Sequence, residues 1–129
     1  MPAIRSFRDL EVYRPSKREA KQIFVISKRF PRDERFSLTD QVRRSSRATG
    51  SMIAEAWARR RYPAAFISKL TEALGEAMET QAWLDHALEC EFLDPSDHAE
   101  LDSGWQEVGA MLNGMINKTD AFCPTSTRR

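Results

Sequence analysis

The sequence has no apolar run near the ~20 residues that a membrane-spanning helix requires, and its opening stretch, MPAIRSFRDL, lacks the apolar segment of a signal peptide. A soluble, cytoplasmic protein is the expectation. Two cysteines, Cys90 and Cys123, are too few for a disulfide framework. No stretch sustains the alternation of two that marks a strand, which leaves an all-α fold. A Gly-rich phosphate loop, a G-x-S-x-G elbow and the paired Glu-x-x-His motifs of di-iron bundles are all missing. The chain therefore reads as non-enzymatic, with no cofactor, metal or small-molecule substrate. His86 and Cys90 do share an i, i+4 spacing, with His98 and Cys123 as conceivable further ligands, but the closely spaced pairs of zinc motifs are lacking. Cys90 reads better as a small buried apolar group, and the histidines as surface or helix-end residues.

What is present is charge, unevenly spread. The net value is +1, yet residues 1–62 hold 16 Lys and Arg against 7 Asp and Glu, a balance of +9. Residues 63–129 hold 4 against 12, a balance of −8. Such asymmetry points either to a surface for nucleic acid or to two halves that neutralise each other when packed together.

Four amphipathic segments follow from the period of the apolar residues, at about 7–30, 38–61, 63–92 and 95–122. Residues 1–122 are read as one domain and 123–129 as a frayed polar tail. The first segment turns Leu10, Tyr13, Ala20, Ile23, Phe24 and Phe30 inward, and the second Leu38, Val42, Met52, Ile53, Ala56 and Trp57. The third offers Phe66, Leu70, Leu74, Ala77, Met78, Gln81, Leu84 and Leu88. The fourth has the cleanest seam: Leu101, Trp105, Val108, Leu112, Met115, Thr119 and Phe122, in steps of four and three. Pro15 either separates the first two turns from the rest or kinks the helix, and Pro31 closes it. Ser37 or Thr39 suits the cap of the second helix, Pro63 the first turn of the third, and Asp94-Pro95-Ser96-Asp97 a capped turn before the fourth. With links this short, an antiparallel up-down-up-down bundle is the simplest packing.

The second segment is the unusual one. It holds Arg43, Arg44, Arg47, Arg59, Arg60 and Arg61. At about 100° per residue, Arg43, Arg47 and Arg61 share one azimuth away from the apolar side. Ala48, Gly50, Ser51, Ala54 and Ala58 surround them, small enough to admit a second helix. A neighbouring subunit is one reading of that face, nucleic acid a second and plain water a third. Glu55 stands four residues before Arg59, a spacing for an intrahelical pair worth ~0.3–0.5 kcal/mol. The complement lies on the third segment, where Glu72, Glu76 and Glu79 descend one side. Facing the arginines, within a chain or across a subunit boundary, that stripe would cancel much of the basic patch.

The stretches DQVRRSS (Asp40 to Ser46), IAE (Ile53 to Glu55) and ETQAWLDHALECEFLD (Glu79 to Asp94) resemble the small four-helix-bundle proteins first noticed as products of 23S rRNA intervening sequences. FRDLEVY (Phe7 to Tyr13) and MLNGMI (Met111 to Ile116) fit the same pattern, so the resemblance spans nearly the whole chain. It implies a bundle assembled as a ring-like homopentamer around a central channel. It also implies kinship with the accessory variability determinant of diversity-generating retroelements, a basic pentamer that binds nucleic acid and a reverse transcriptase. Gln41, Arg43 and Arg44 match the Gln-x-Arg-Arg stretch of that family, and Glu55 its characteristic glutamate. Met52 and Ala56 depart from it, standing where the family often has asparagine and glycine, and Pro15 is unusual in the first helix.

Together these readings give an oligomeric helical bundle that binds RNA or DNA non-specifically through Arg43, Arg44, Arg47, Arg59, Arg60 and Arg61. Gln41, Glu55, Glu72, Glu76 and Glu79 then organise the interface. The alternative is an assembly or scaffold module in which those arginines only pair with acidic residues of neighbouring subunits, with another protein as partner.

Overall fold

A computed structural model describes residues 3–124, and among these there are four α-helices and no strand. Helix α1 runs Tyr13–Ser27, α2 Leu38–Ala58, α3 Pro63–Glu89 and α4 Pro95–Asn117. Short 3-10 turns at Phe7–Asp9, Arg32–Glu34 and Thr119–Ala121 flank them. No helix among the described residues is long and apolar enough to cross a membrane.

Pairs of side chains fix the topology. Along α2, Arg43 meets Ser27 of α1 while Gly50 lies against Ser16, so the two helices run in opposite directions. Ser45 faces Thr80 and Glu55 faces Lys69, which makes α2 and α3 antiparallel. His98 meets Asp85, and Gln81 reaches Asp102 and Gln106, which reverses α4 relative to α3. Arg29 pairs with Asp97, and Glu19 abuts Gly104, closing α4 back onto α1. The result is the up-down-up-down bundle.

The core follows two rules. In α3 the buried positions are Phe66, Leu70, Ala73, Ala77, Thr80, Leu84 and Ala87, and in α4 Leu101, Trp105, Val108, Leu112 and Met115, each in alternating steps of four and three. In α1 and α2 hydroxyls replace half of the hydrocarbon: Ser16 and Ser27 on α1, with Thr39, Ser45, Ser46 and Thr49 on α2, are buried. Ser16, Ser27, Ser45, Ser46 and Thr49 donate to carbonyls of their own helix, so burial leaves none of these hydroxyls unpaired. Their small size draws the backbones together.

Several residues expected inside are only partly covered, at the edge of the core. Tyr13, Ala20 and Phe24 of α1, Met52 and Trp57 of α2, and Leu74 and Leu88 of α3 are half-buried, and Met78 is 56% exposed. Gln81 is half-buried too, where its amide donates to Asp102 and Gln106. Thr119 and Phe122 leave α4 and sit at a 3-10 turn, from which Phe122 stacks on Phe66 with ring centres 5.9 Å apart. Cys90 is exposed and Cys123 is buried, the reverse of a buried Cys90 and a tail frayed from residue 123 onward. The rest of that tail, 125–129, lies outside the described residues.

Helix ends also differ from expectation for local reasons. Pro15 falls in the first turn of α1, where no intrahelical donor is lost, and Phe7–Asp9 forms a separate turn capped by Ser6. Ser37 takes the N-cap position of α2, though its side chain makes no capping bond there. The Leu38 amide donates instead to Glu34 Oε1 at 3.2 Å, and Ser37 Oγ donates to the same oxygen. Asp94 does cap α4, accepting from the Asp97 amide at 2.8 Å, with Pro95 behind it.

Helix α3 ends in a Schellman motif, in which Phe92 N–H donates to Ala87 O at 2.9 Å and Glu91 N–H to Leu88 O at 3.0 Å. Its left-handed residue is Glu91, with φ 63°, where glycine carries no Cβ penalty. Replacing Glu91 by glycine is expected to raise unfolding stability by about 1 kcal/mol, read as a higher urea midpoint at unchanged m-value. A lower midpoint would mean that the Glu91 side chain matters more than its backbone.

Candidate nucleic-acid interface

The arginines of α2 divide into three groups. Arg44 turns toward α3, where Nη1 lies 3.2 Å from Glu76 and Nη2 bonds Glu79, while Nε donates to Gln41 Oε1 at 3.0 Å. The indole of Trp83 donates to Glu79 as well, at 3.1 Å. Gln41, Glu76 and Glu79 therefore converge on Arg44 within one chain. Burial alone would lower the Arg44 pKa, but the charges of Glu76 and Glu79 and their hydrogen bonds outweigh it, and the guanidinium is held above its usual range. A raised cationic pKa gives stabilisation that is complete below the ordinary guanidinium value and lost only as pH climbs through the raised one. The clasp is thus insensitive to pH near neutrality.

Glu55 does not pair with Arg59. It bonds Lys69 of α3 at 3.2 Å, and Lys69 also reaches Glu72 at 3.4 Å. Lys69 thus draws the two remaining acidic candidates to itself. Arg59, Arg60 and Arg61 lie beyond the last residue of α2, so they are end residues and not part of a stripe. Arg60 folds back over the Trp57 ring, 3.9 Å from its centre, and donates to Trp57 O at 2.9 Å. Cations there meet the negative end of the helix dipole.

Arg43 and Arg47 turn toward α1. Their guanidinium carbons lie 4.9 Å and 5.5 Å from the centre of the Phe24 ring, and Lys28 Nζ lies 4.6 Å from it. Arg43 Nε also donates to Ser27 Oγ at 2.8 Å. Three cations thus crowd one aromatic ring. Lys17 and Lys21 of α1 stand beside them, lining with Arg47 a groove of about 460 Å³ between α1 and α2. Lys17, Lys21, Lys28, Arg43 and Arg47 form no ion pair among the described residues.

The sequence reading missed the lysines. Lys17, Lys21 and Lys28 repeat at steps of four and seven, a helical stripe on α1 that was available to the same period argument. The small residues beside the arginines also have partners in the same chain. Gly50 faces Ser16 and Tyr13, Ala48 and Ala54 are half-buried, and only Ser51 and Ala58 are exposed.

The candidate metal ligands do not assemble. Exposed His86 lies beside the Trp83 ring, and His98 bonds Asp85 at 2.8 Å. Asp85, His98 and Asp102 bring ligand atoms within 4.8 Å of one another, but their hydrogen bonds, including Gln81 to Asp102 at 3.1 Å, make them a polar clasp between α3 and α4.

Residues 8–114 match the 23S rRNA-intervening sequence protein family. The chain belongs to that family. A crystal structure at 1.70 Å of a protein with unknown function from the S23 ribosomal protein family of Bacteroides thetaiotaomicron is similar over most of the chain: 28% identical, covering 82% of this chain and 95% of that one, with a TM-score of 0.74. Among curated proteins none matches. The family match takes in α1, α2, α3 and all but the last turn of α4.

Because Arg44 bridges two carboxylates and Arg59 meets none, their replacements separate the clasp from general charge effects. Arg44→Gln is expected to cost about 1 kcal/mol in urea unfolding and Arg59→Gln less than about 0.5 kcal/mol. Equal effects would remove the clasp from the account of how α2 is held.

Proposed function

We propose that this protein is a non-enzymatic, oligomeric bundle whose α1–α2 face binds RNA or DNA without sequence preference, through phosphate contacts. The observation that carries the reading is the set Lys17, Lys21, Lys28, Arg43 and Arg47, gathered on two adjacent helices with no carboxylate among the described residues paired to any of them. Like charges held this close repel one another, and a string of phosphates relieves the repulsion by replacing counterions. Arg44 is removed from the binding set, because Glu76 and Glu79 already neutralise it. Arg59 and Arg61, exposed at the end of α2, extend the positive field. A cytoplasmic setting, where nucleic acid is at hand, fits this reading.

The scaffold reading is favoured by one observation. The clasps at Arg44 and Lys69 bind basic and acidic halves within a chain, and the same chemistry between chains would set a basic α1–α2 face against an acidic α3–α4 face. Such a contact is heterologous and closes into a ring when its rotation allows. The ring-like homopentamer, with a protein partner such as a reverse transcriptase, is the form that the family resemblance supports.

Titration of mixed-sequence RNA from about 50 to about 200 mM salt tests the first reading. Neutralising four or five phosphates is expected to give a log–log slope of about −3 to −4, shallower by about 1 for each of Lys17→Gln and Arg47→Gln. Absence of binding at ~50 mM salt ends it. Solution mass tests the second: loss of the oligomer in an Arg43→Gln, Arg47→Gln variant, with no polyanion affinity in the native protein, favours the scaffold.

A further inference from the structure

Gly50 lies in the middle of α2, where glycine is the least favourable residue after proline. Packing does not require it. A Cβ at that position would make ordinary contacts, 3.6 Å from Ser16 Oγ and 4.0 Å from Tyr13 Cε1. Gly104 is the contrast, since a Cβ there would run into the Glu19 carboxylate. What the bare backbone at Gly50 does is keep open the floor of the groove between α1 and α2, whose other apolar lining is Tyr13, Ala20 and Phe24.

The groove has the volume of a small-ligand site, about 460 Å³. A partner helix docks through a row of exposed apolar anchors. None of the exposed large hydrophobics, Ile4, Val25, Phe36, Tyr62 and Met78, lines this groove. Its walls carry Lys17 and Lys21 on one side and Arg47 on the other. The occupant that fits is a flat, largely apolar group of modest size attached to strong negative charge.

We infer that the groove seats an unpaired base of single-stranded nucleic acid, with the adjoining phosphates on Lys17, Lys21 and Arg47. The inference rests on the polyanion reading above and narrows it. Bases stack on aromatic rings and on guanidinium planes: a base entering here stacks on the Arg47 guanidinium, which lies 5.5 Å from the centre of the Phe24 ring, or displaces Lys17 from the Tyr13 ring, whose centre it approaches to 5.6 Å. A duplex keeps its bases inside the stack and offers this groove only its backbone.

Gly50→Leu fills the floor, leaves all five cations in place and puts a good helix former into α2. Fluorescence anisotropy compares a labelled single-stranded RNA with its own duplex at about 100 mM salt. The native protein is expected to favour the single strand about tenfold or more. Gly50→Leu is expected to abolish that preference by weakening single-strand binding alone, and Gly50→Ala to reduce it partway. Helical circular dichroism shows that both variants fold; should the leucine variant not, the alanine variant decides. Equal affinity of the native protein for both forms, or no loss in a folded variant, overturns the groove inference and leaves the phosphate reading standing. Binding to neither form removes both. A fall in solution mass on filling the groove assigns it to a second copy of the chain and overturns the inference.

Discussion

Ser45 on α2 and Thr80 on α3, both fully buried, share a hydrogen bond of 2.7 Å. A hydrogen bond of this length tolerates little sliding. It therefore fixes which residues of α2 face which neighbour. With Ser45 locked onto Thr80, the preceding Arg44 comes to Glu76 and Glu79, one turn on the same flank. Arg43 and Arg47, on the other flank, are carried to Phe24 of α1. A different register would exchange their partners, and the unpaired cationic face would not exist in its present form.

The fold was legible in the sequence because hydrophobic period speaks plainly for α4, where Leu101, Trp105, Val108, Leu112 and Met115 are buried as expected, and for half of the α3 face, Phe66, Leu70, Ala77 and Leu84. Less of α1 and α2 could be read. An argument from hydrocarbon period takes Ser16, Ser27, Ser45 and Thr49 for surface residues, although hydroxyls that bond their own helix are buried at little cost. The counterpart of that omission is that Tyr13 and Ala20 only pack half-buried against the edge of the core, and Phe24 is half-buried beside it.

The candidate site was half legible for a related reason. Its charges were visible, and the acidic stripe was expected to face arginines of α2 within a chain or across a subunit boundary; within this chain Glu76 and Glu79 meet Arg44, with Gln41 beside it. Which arginine pairs is a matter of register, and register depends on small residues that carry no charge. Glu55 illustrates the limit. Local spacing assigned it to Arg59, whereas Lys69, fourteen positions on, wins because antiparallel packing delivers it to the same spot. Period within one helix cannot see across to the next.

Two hairpins of opposite sign, +9 in residues 1–62 and −8 in 63–129, leave a molecule of net charge +1 that is a strong electric dipole. Its isoelectric point of about 7.8 describes none of this. Such a particle sticks to both anion- and cation-exchange resins near neutrality, each resin taking one end. Opposite ends of two such dipoles attract in dilute buffer, and salt screens that attraction beyond a Debye length of ~10 Å at 0.1 M.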